Sequence, residues 1–343
     1  MDQAAKEDAF FRTYHDLLGV IRNREHTPNL ENLGLSPIEL EGLDCLFTEQ
    51  EVWQVIKEMP ADRAPGPDGF IGIFYQKAWS VIKHDVMAAL LKLVVGDGRG
   101  FDKLNRAYVT LIPKQPDAVD VGEFRPISLV HSFSKLFSKL LANRLRMKMA
   151  ELVSMNQSAF IKQRSLHDNF LLVRQVARKL NARREKGVFL KLDISRAFDS
   201  VSWAFLMEIL RQRGFSELWI KWATILLSTA STMILVNGLP GRRIKHVRGL
   251  RQGDPISPQF FVMIMEVLTL LVRRAEEEGL LSTLSGSTSM QRISIFADDV
   301  ALFVKPLRQD LETVQLILNA FGEASGLKVN YAKSCAIVIR GEE

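Results

Sequence analysis

Apolar residues recur along this chain with two periods, and the switches between them mark its elements. Spacing of three and four positions predicts helices over 4–20, 49–59, 71–93, 132–152, 166–186, 203–213, 221–228, 258–278 and 310–324. Short apolar or alternating runs predict strands over 108–113, 188–194, 231–237, 242–247 and 335–339. Two further apolar runs, 293–296 and 300–304, flank a tight turn at Ala297-Asp298, and Asn237-Gly238 marks a hairpin between 231–237 and 242–247. Thr48 stands where it can cap the helix over 49–59. The stretch 61–70 is turn chemistry throughout, and a connector leads to Phe124-Arg125-Pro126-Ile127-Ser128-Leu129. Gly96-Asp97-Gly98-Arg99-Gly100 is read as a plain loop, because no Gly-Lys-Ser/Thr follows it. Strands separated by helices, with several hairpins, argue an α+β fold with an antiparallel sheet.

Charge changes this picture more than overall composition does. From Lys135 to Lys191 there are 14 Lys/Arg against 3 Asp/Glu, while the rest of the chain holds 31 basic and 36 acidic residues. A basic block of that kind is the footprint expected for a polyanion, and a solvated helical face is the competing reading. Two cysteines, Cys45 and Cys335, exclude a disulfide framework and a cysteine-rich zinc site, and fit a reducing compartment. The longest apolar stretch, 260–272, is too short to span a bilayer and contains Glu266, so it is expected as a buried helix. The amino terminus resembles neither a secretory nor a transit signal, which gives the expectation of an intracellular protein, nuclear or cytoplasmic.

The candidate chemistry lies in three blocks. Phe296-Ala297-Asp298-Asp299 puts two carboxylates at the tight turn, and Asp193 ends the strand-like run from Val188. Three carboxylates drawn together push one another's pKa upward unless a divalent cation neutralises them, so convergence of these three would make a metal site. After Asp193 the chain enters Ala197-Phe198-Asp199, where Phe198 can lie against a nucleotide sugar; Asp199 reads better as a cap or turn residue. Between the acidic elements lies Arg248-Gly249-Leu250-Arg251-Gln252-Gly253-Asp254-Pro255-Ile256-Ser257-Pro258. Its glycines permit close backbone approach to a ligand, its prolines stiffen the loop, and Ser257 with Pro258 suits a helix start.

In order and spacing these blocks resemble reverse-transcriptase motifs. Ala64-Pro65-Gly66-Pro67-Asp68-Gly69-Phe70, Leu111-Ile112-Pro113-Lys114, Phe124-Arg125-Pro126-Ile127-Ser128 and Asn156-Gln157-Ser158-Ala159-Phe160 resemble the non-LTR (LINE-type) retrotransposon branch, especially members common in plants. Ser325-Gly326-Leu327-Lys328-Val329-Asn330 with Lys333-Ser334 resembles the closing motif, so the resemblance runs from about 45 to 340.

The resemblance implies a right-hand polymerase: an N-terminal helical extension over 1–44, fingers over 45–187 with basic template-binding helices, and a palm over 188–343. The palm's antiparallel sheet would pack on helices, and a thumb is expected to be absent. Asp193 and Asp298, with Asp299 assisting, would hold two Mg²⁺ ions (or Mn²⁺) roughly 4 Å apart, activating a primer 3′-hydroxyl and stabilising pyrophosphate. Lys114 and Arg125 would meet the incoming triphosphate, Gln252 and Gly253 would position the nucleotide, and Phe198 would select deoxyribose. Lys333 is a candidate for protonating pyrophosphate. The implied partners are an RNA template, a DNA primer and dNTPs, with no membrane; oligomeric state is not legible. The alternative is a catalytically inactive nucleic-acid-binding remnant of a retrotransposon.

Overall fold

The computed structural model describes residues 3–22, 24, 27–284 and 291–340. The first part of the chain forms α1 (Gln3–Leu18), α2 (Glu49–Glu58), α3 (Gly72–Val95), α4 (Phe101–Leu104), β1 (Arg106–Pro113), β2 (Phe124–Val130) and α5 (Ser132–Arg146). Then come α6 (Met149–Leu152), α7 (Leu166–Ala182), β3 (Gly187–Leu192), α8 (Ala197–Ser200), α9 (Trp203–Gln212) and α10 (Glu217–Ser228). The remainder is β4 (Ser231–Val236), β5 (Leu239–Lys245), α11 (Ser257–Glu277), β6 (Ile293–Phe296), β7 (Asp299–Val304), α12 (Arg308–Ser325) and β8 (Cys335–Ile339).

Local chemistry accounts for many of these boundaries. Thr48 accepts from the Glu51 amide at the start of α2, as its position predicts. Ser165 and Asp168 form a reciprocal capping box on α7. Ser216 accepts from the Trp219 amide, so α10 starts a turn before the predicted residue 221. The predicted 132–152 helix is broken into α5 and the single turn α6, and α7 ends at Ala182 rather than 186. Past that end, Arg184 takes φ +55° and the Glu185 amide turns back to Leu180 O.

The elements fall into two compact units. The first comprises residues 1–22, 40–145 and 215–257. Its sheet has the order β2-β1-β4-β5, with β1 antiparallel to β2 and parallel to β4 from Arg106↔Ser231 to Val109↔Ile234. Tyr14, Leu17 and Leu18 of α1 pack on Val109, Ile234, Val236 and Ile244 of that sheet. The second unit comprises 23–39, 146–214 and 258–343, and its sheet is antiparallel throughout, in the order β6-β7-β3-β8. Val176 and Leu180 of α7 cover Phe303 on one face of it, joined by Phe189 and Ile339. Glu266 is buried within α11, as expected for the 260–272 run, and accepts from Ser154 Oγ at 2.9 Å.

The two compact units are discontinuous in sequence. Parallel pairing of β4 with β1 takes 215–257 into the first unit. Pairing of Gln157 with Ile295 takes the segment after residue 145 into the second. Residues 27–39 also join the second unit, where the Ile38 amide donates to Arg213 O and Arg213 donates to Ser36 O. Among the described residues no helix is long and apolar enough to cross a membrane.

Candidate active site

β3 runs directly into Asp193, and Leu192 of β3 pairs with Val300 of β7. Asp193 and the Ala297-Asp298 turn therefore lie at the same end of two adjacent strands. The Asp193 end is pinned by the closing segment: the Asp193 amide donates to Ser334 Oγ at 3.1 Å and the Asn330 amide donates to Asp193 O at 2.8 Å. Ser334 Oγ in turn donates to Asn330 O, and Ile194 bridges Val329. Ser334 therefore has a positioning part that sequence reasoning did not give it; a serine beside Lys333 was the only signal.

The hairpin turn is tight, because Phe296 and Asp299 are its last paired residues. Ala297 takes φ +55°, and Asp298 is half-buried while Asp299 is exposed. Burial raises the Asp298 carboxyl above its ordinary pKa; its own backbone amide opposes that, and Asp299 and Asp193 push it further up. Asp193 and Asp299 therefore both lie near enough to Asp298 to act on its charge. Among the described residues, however, no three His, Cys, Asp or Glu side chains are already disposed to hold one ion. These three residues offer carboxylate oxygen alone, a donor type that suits a hard divalent cation such as Mg²⁺.

Phe198 sits on the short α8, entered through Arg196 at φ +47°. Its half-buried ring stacks on Phe261, with centroids 4.7 Å apart and an interplanar angle of 14°. That stack fixes the ring while leaving part of it open. The neighbouring Asp199 lies inside α8, and burial pushes its carboxyl up to about 6 against an opposing pull from Arg196. The folded state therefore holds this proton more tightly than the unfolded chain, whose value is 3.8. The associated stability is present at acid pH and is lost as pH rises through about 6. Asp199→Asn is expected to raise the unfolding free energy by about 1–2 kcal/mol near pH 7.5, with partial exposure discounted, and to leave it unchanged near pH 4. Urea unfolding at the two pH values reads the difference.

Of the other predicted site residues, Lys114, Arg125, Gln252 and Gly253 lie in the first unit. Lys114 follows β1, and its Nζ donates to Gly122 O at 2.7 Å while its amide donates to Glu123 O. Arg125 is exposed on β2 opposite Ile112. Gln252 is half-buried, and Gly253 takes φ +92° with open space where a side chain would start. Behind them Arg251 is buried and donates to Asn105 O at 2.6 Å, to Ser231 O at 2.9 Å and to Asn105 Oδ1. Lys333 is exposed in a 3-10 turn, Tyr331–Lys333, of the second unit.

The basic block changes meaning once burial is known. Most of α5 is core, and Arg144 is engaged internally: it donates to the Glu51 carboxylate and to Leu43 O and Leu46 O, with its guanidinium over the Phe47 ring. Arg164 likewise donates to the carbonyls of Ala150, Val153, Ser154 and Gln157. α7 presents cations outward through Arg174, Arg178 and Lys179, and α5 ends on the exposed Arg146. Counting charges along a chain does not reveal which are folded inward.

Comparison with known proteins gives a concordant result. The profile described as reverse transcriptase (RNA-dependent DNA polymerase) matches residues 112–340. The chain is 29% identical over 301 residues to the transposon TX1 uncharacterized 149 kDa protein of Xenopus laevis, covering 87% of this chain and 22% of that one. It is 29% identical over 293 residues to the retrovirus-related Pol polyprotein from type-1 retrotransposable element R2 of Nasonia vitripennis, covering 84% and 27%. It thus spans about a quarter of the length of these relatives. Its fold is similar to that of telomerase from Candida albicans solved with a fragment of telomeric RNA, with a TM-score of 0.50 at 16% identity over 70% of this chain and 42% of that one.

Proposed function

Because the chain belongs to the reverse transcriptase family, of the non-LTR retrotransposon kind, we propose that it extends a DNA primer on an RNA template by adding dNTPs. The observation that carries this reading is the placement of Asp193 and the Asp298-Asp299 turn at the same end of the paired strands β3 and β7. Asp193 and Asp298 are the residues that would hold divalent cations, with Asp299 completing the charge. Such ions, when bound, supply Lewis-acid activation of the primer hydroxyl and charge neutralisation at the leaving pyrophosphate.

The chain's own side chains do the rest by orientation and exclusion. Phe198, held flat by Phe261, restricts the space available to a sugar 2′-hydroxyl. Arg125 offers an exposed guanidinium and Lys114 an ammonium for triphosphate oxygens, and Gln252 offers both a donor and an acceptor beside the open Gly253. Lys333 is the candidate proton donor to pyrophosphate. The outward cations of α7 suit a phosphate backbone, and binding there should weaken as salt rises. In this reading the second unit carries the palm chemistry and the first unit the fingers.

Primer extension on an RNA template with dNTPs and Mg²⁺ tests the activity directly. Phe198→Ala is expected to raise the ratio of ribonucleotide to deoxyribonucleotide incorporation on the order of tenfold or more. An unchanged ratio in single-nucleotide extension would remove Phe198 from sugar selection.

A further inference from the structure

The block Asn156-Gln157-Ser158-Ala159-Phe160 has no part in the chemistry above, yet it lies against the hairpin that carries Asp298. It runs beside β6 as a short parallel partner: the Ile295 amide donates to Asn156 O at 2.7 Å, and the Ser158 amide donates to Ile295 O at 3.2 Å. Gln157, at the centre, is fully buried. Its Oε1 accepts from the Ala297 amide at 3.1 Å and from the Ala159 amide at 2.9 Å, and its Nε2 reaches Ala297 O at 3.5 Å. A single side-chain amide therefore meets both the N–H and the C=O of the residue immediately before Asp298.

Ala297 is where the turn most needs support. Its φ of +55° is left-handed, a conformation that a residue with a Cβ keeps only where its surroundings over-determine it. We propose that Gln157 is a positioning residue: it clamps the Ala297 backbone and so fixes the direction in which Asp298 presents its carboxylate. The inference rests on the reading that Asp298 binds metal.

The clamp stands on a fixed base. Arg164 Nη1 donates to Gln157 O at 2.8 Å and Nη2 to Val153 O at 2.9 Å, while Ser154 Oγ donates to buried Glu266. An amide suits the position because it must accept from two buried N–H groups and donate to a carbonyl. A carboxylate could accept but not donate, and an apolar side chain would leave the Ala297 amide without a partner. Mere attachment of the loop to the sheet is served separately by Asn156, whose Nδ2 donates to Ile293 O at 2.6 Å, away from the turn.

That separation supplies the control. The full chain carrying Gln157→Met, Gln157→Glu, Asn156→Ala or Asp298→Asn is compared by hydrogen exchange of the 293–300 region without metal, by Mn²⁺ affinity from electron paramagnetic resonance, and by primer extension. Gln157→Met is expected to speed exchange at the turn about tenfold or more and to weaken Mn²⁺ binding about tenfold, as loss of outer support for a metal ligand does. Its kcat falls with KM for dNTP unchanged. Gln157→Glu, neutral in so buried a position, keeps the accepted hydrogen bonds and the slow exchange. Asn156→Ala lowers the melting temperature but leaves Mn²⁺ affinity within about twofold. Wild-type Mn²⁺ affinity in Gln157→Met, equal weakening in Asn156→Ala, or fast exchange in Gln157→Glu would each overturn the clamp. If Gln157→Met does not fold, the Gln157→Glu exchange against Asn156→Ala decides. Asp298→Asn that binds Mn²⁺ like the wild type would instead defeat the metal reading, and the exchange result would still report the clamp.

Discussion

Asp298→Asn is expected to lower primer extension at least a thousandfold, about 4 kcal/mol of transition-state stabilisation, while the protein becomes no less stable. The two halves of this expectation have one cause. Asp298 is half-buried and is driven upward in pKa by burial and by the Asp299 and Asp193 carboxylates, so in the metal-free fold its negative charge is a liability. Asparagine keeps the shape and removes both the buried charge and that repulsion, so the metal-free turn is at least as stable. A ligand lost by unfolding would lower activity and melting temperature together. Lost extension with an equal or higher melting temperature is the pattern expected here, and full activity in the variant would dismiss the metal assignment.

Arg251→Met should be the most destabilising single change in the first unit, at about 3–5 kcal/mol in urea unfolding. Methionine fills much of the same space, so the loss isolates the polar network. Arg251 supplies hydrogen bonds to Asn105 O, Ser231 O and Asn105 Oδ1, and Asn105 is itself fully buried, donating to Leu226 O and Thr229 Oγ1. Burial brings the guanidinium down to about 10, with Asp254 opposing that shift. Burial raises the Asp254 carboxyl, and Arg251 is one of the groups that restrain it. Removing the cation therefore leaves buried oxygens short of donors and a buried carboxyl short of its counter-charge. A urea midpoint equal to that of the wild type would show that the loop carrying Gln252 is held by something else.

The contrast between these residues shows where the sequence was readable. Helix 49–58 with its Thr48 cap, the Asn237-Gly238 turn and strand 335–339 are each set by neighbours a few positions away, and each lies where the pattern predicts it. Strand 124–130 was not legible because Pro126 interrupts the pattern; the strand lies at the edge of its sheet, where proline is tolerated. The likeness of short motifs singled out Asp193, Asp298 and Phe198 as candidates, and the structure places Asp193 and the Asp298 turn at one sheet end. It could not reveal that Gln157 meets Ala297 or that Ser334 meets Asp193, since those hydrogen bonds join residues about 140 positions apart. Nor could it distinguish Arg144, turned inward, from Arg174, turned outward.

The polypeptide passes between its two units at residues 22/23, 39/40, 145/146, 214/215 and 257/258. No single scission can therefore release one half intact. A fragment ending at residue 187 would carry β1 without β4, and its complement would carry β6 without the strand-like segment beside it. Expression of either piece alone should yield aggregation-prone material with unpaired strand edges. The intact chain must also close several long loops before either sheet is complete, which makes slow folding with high contact order the expected behaviour.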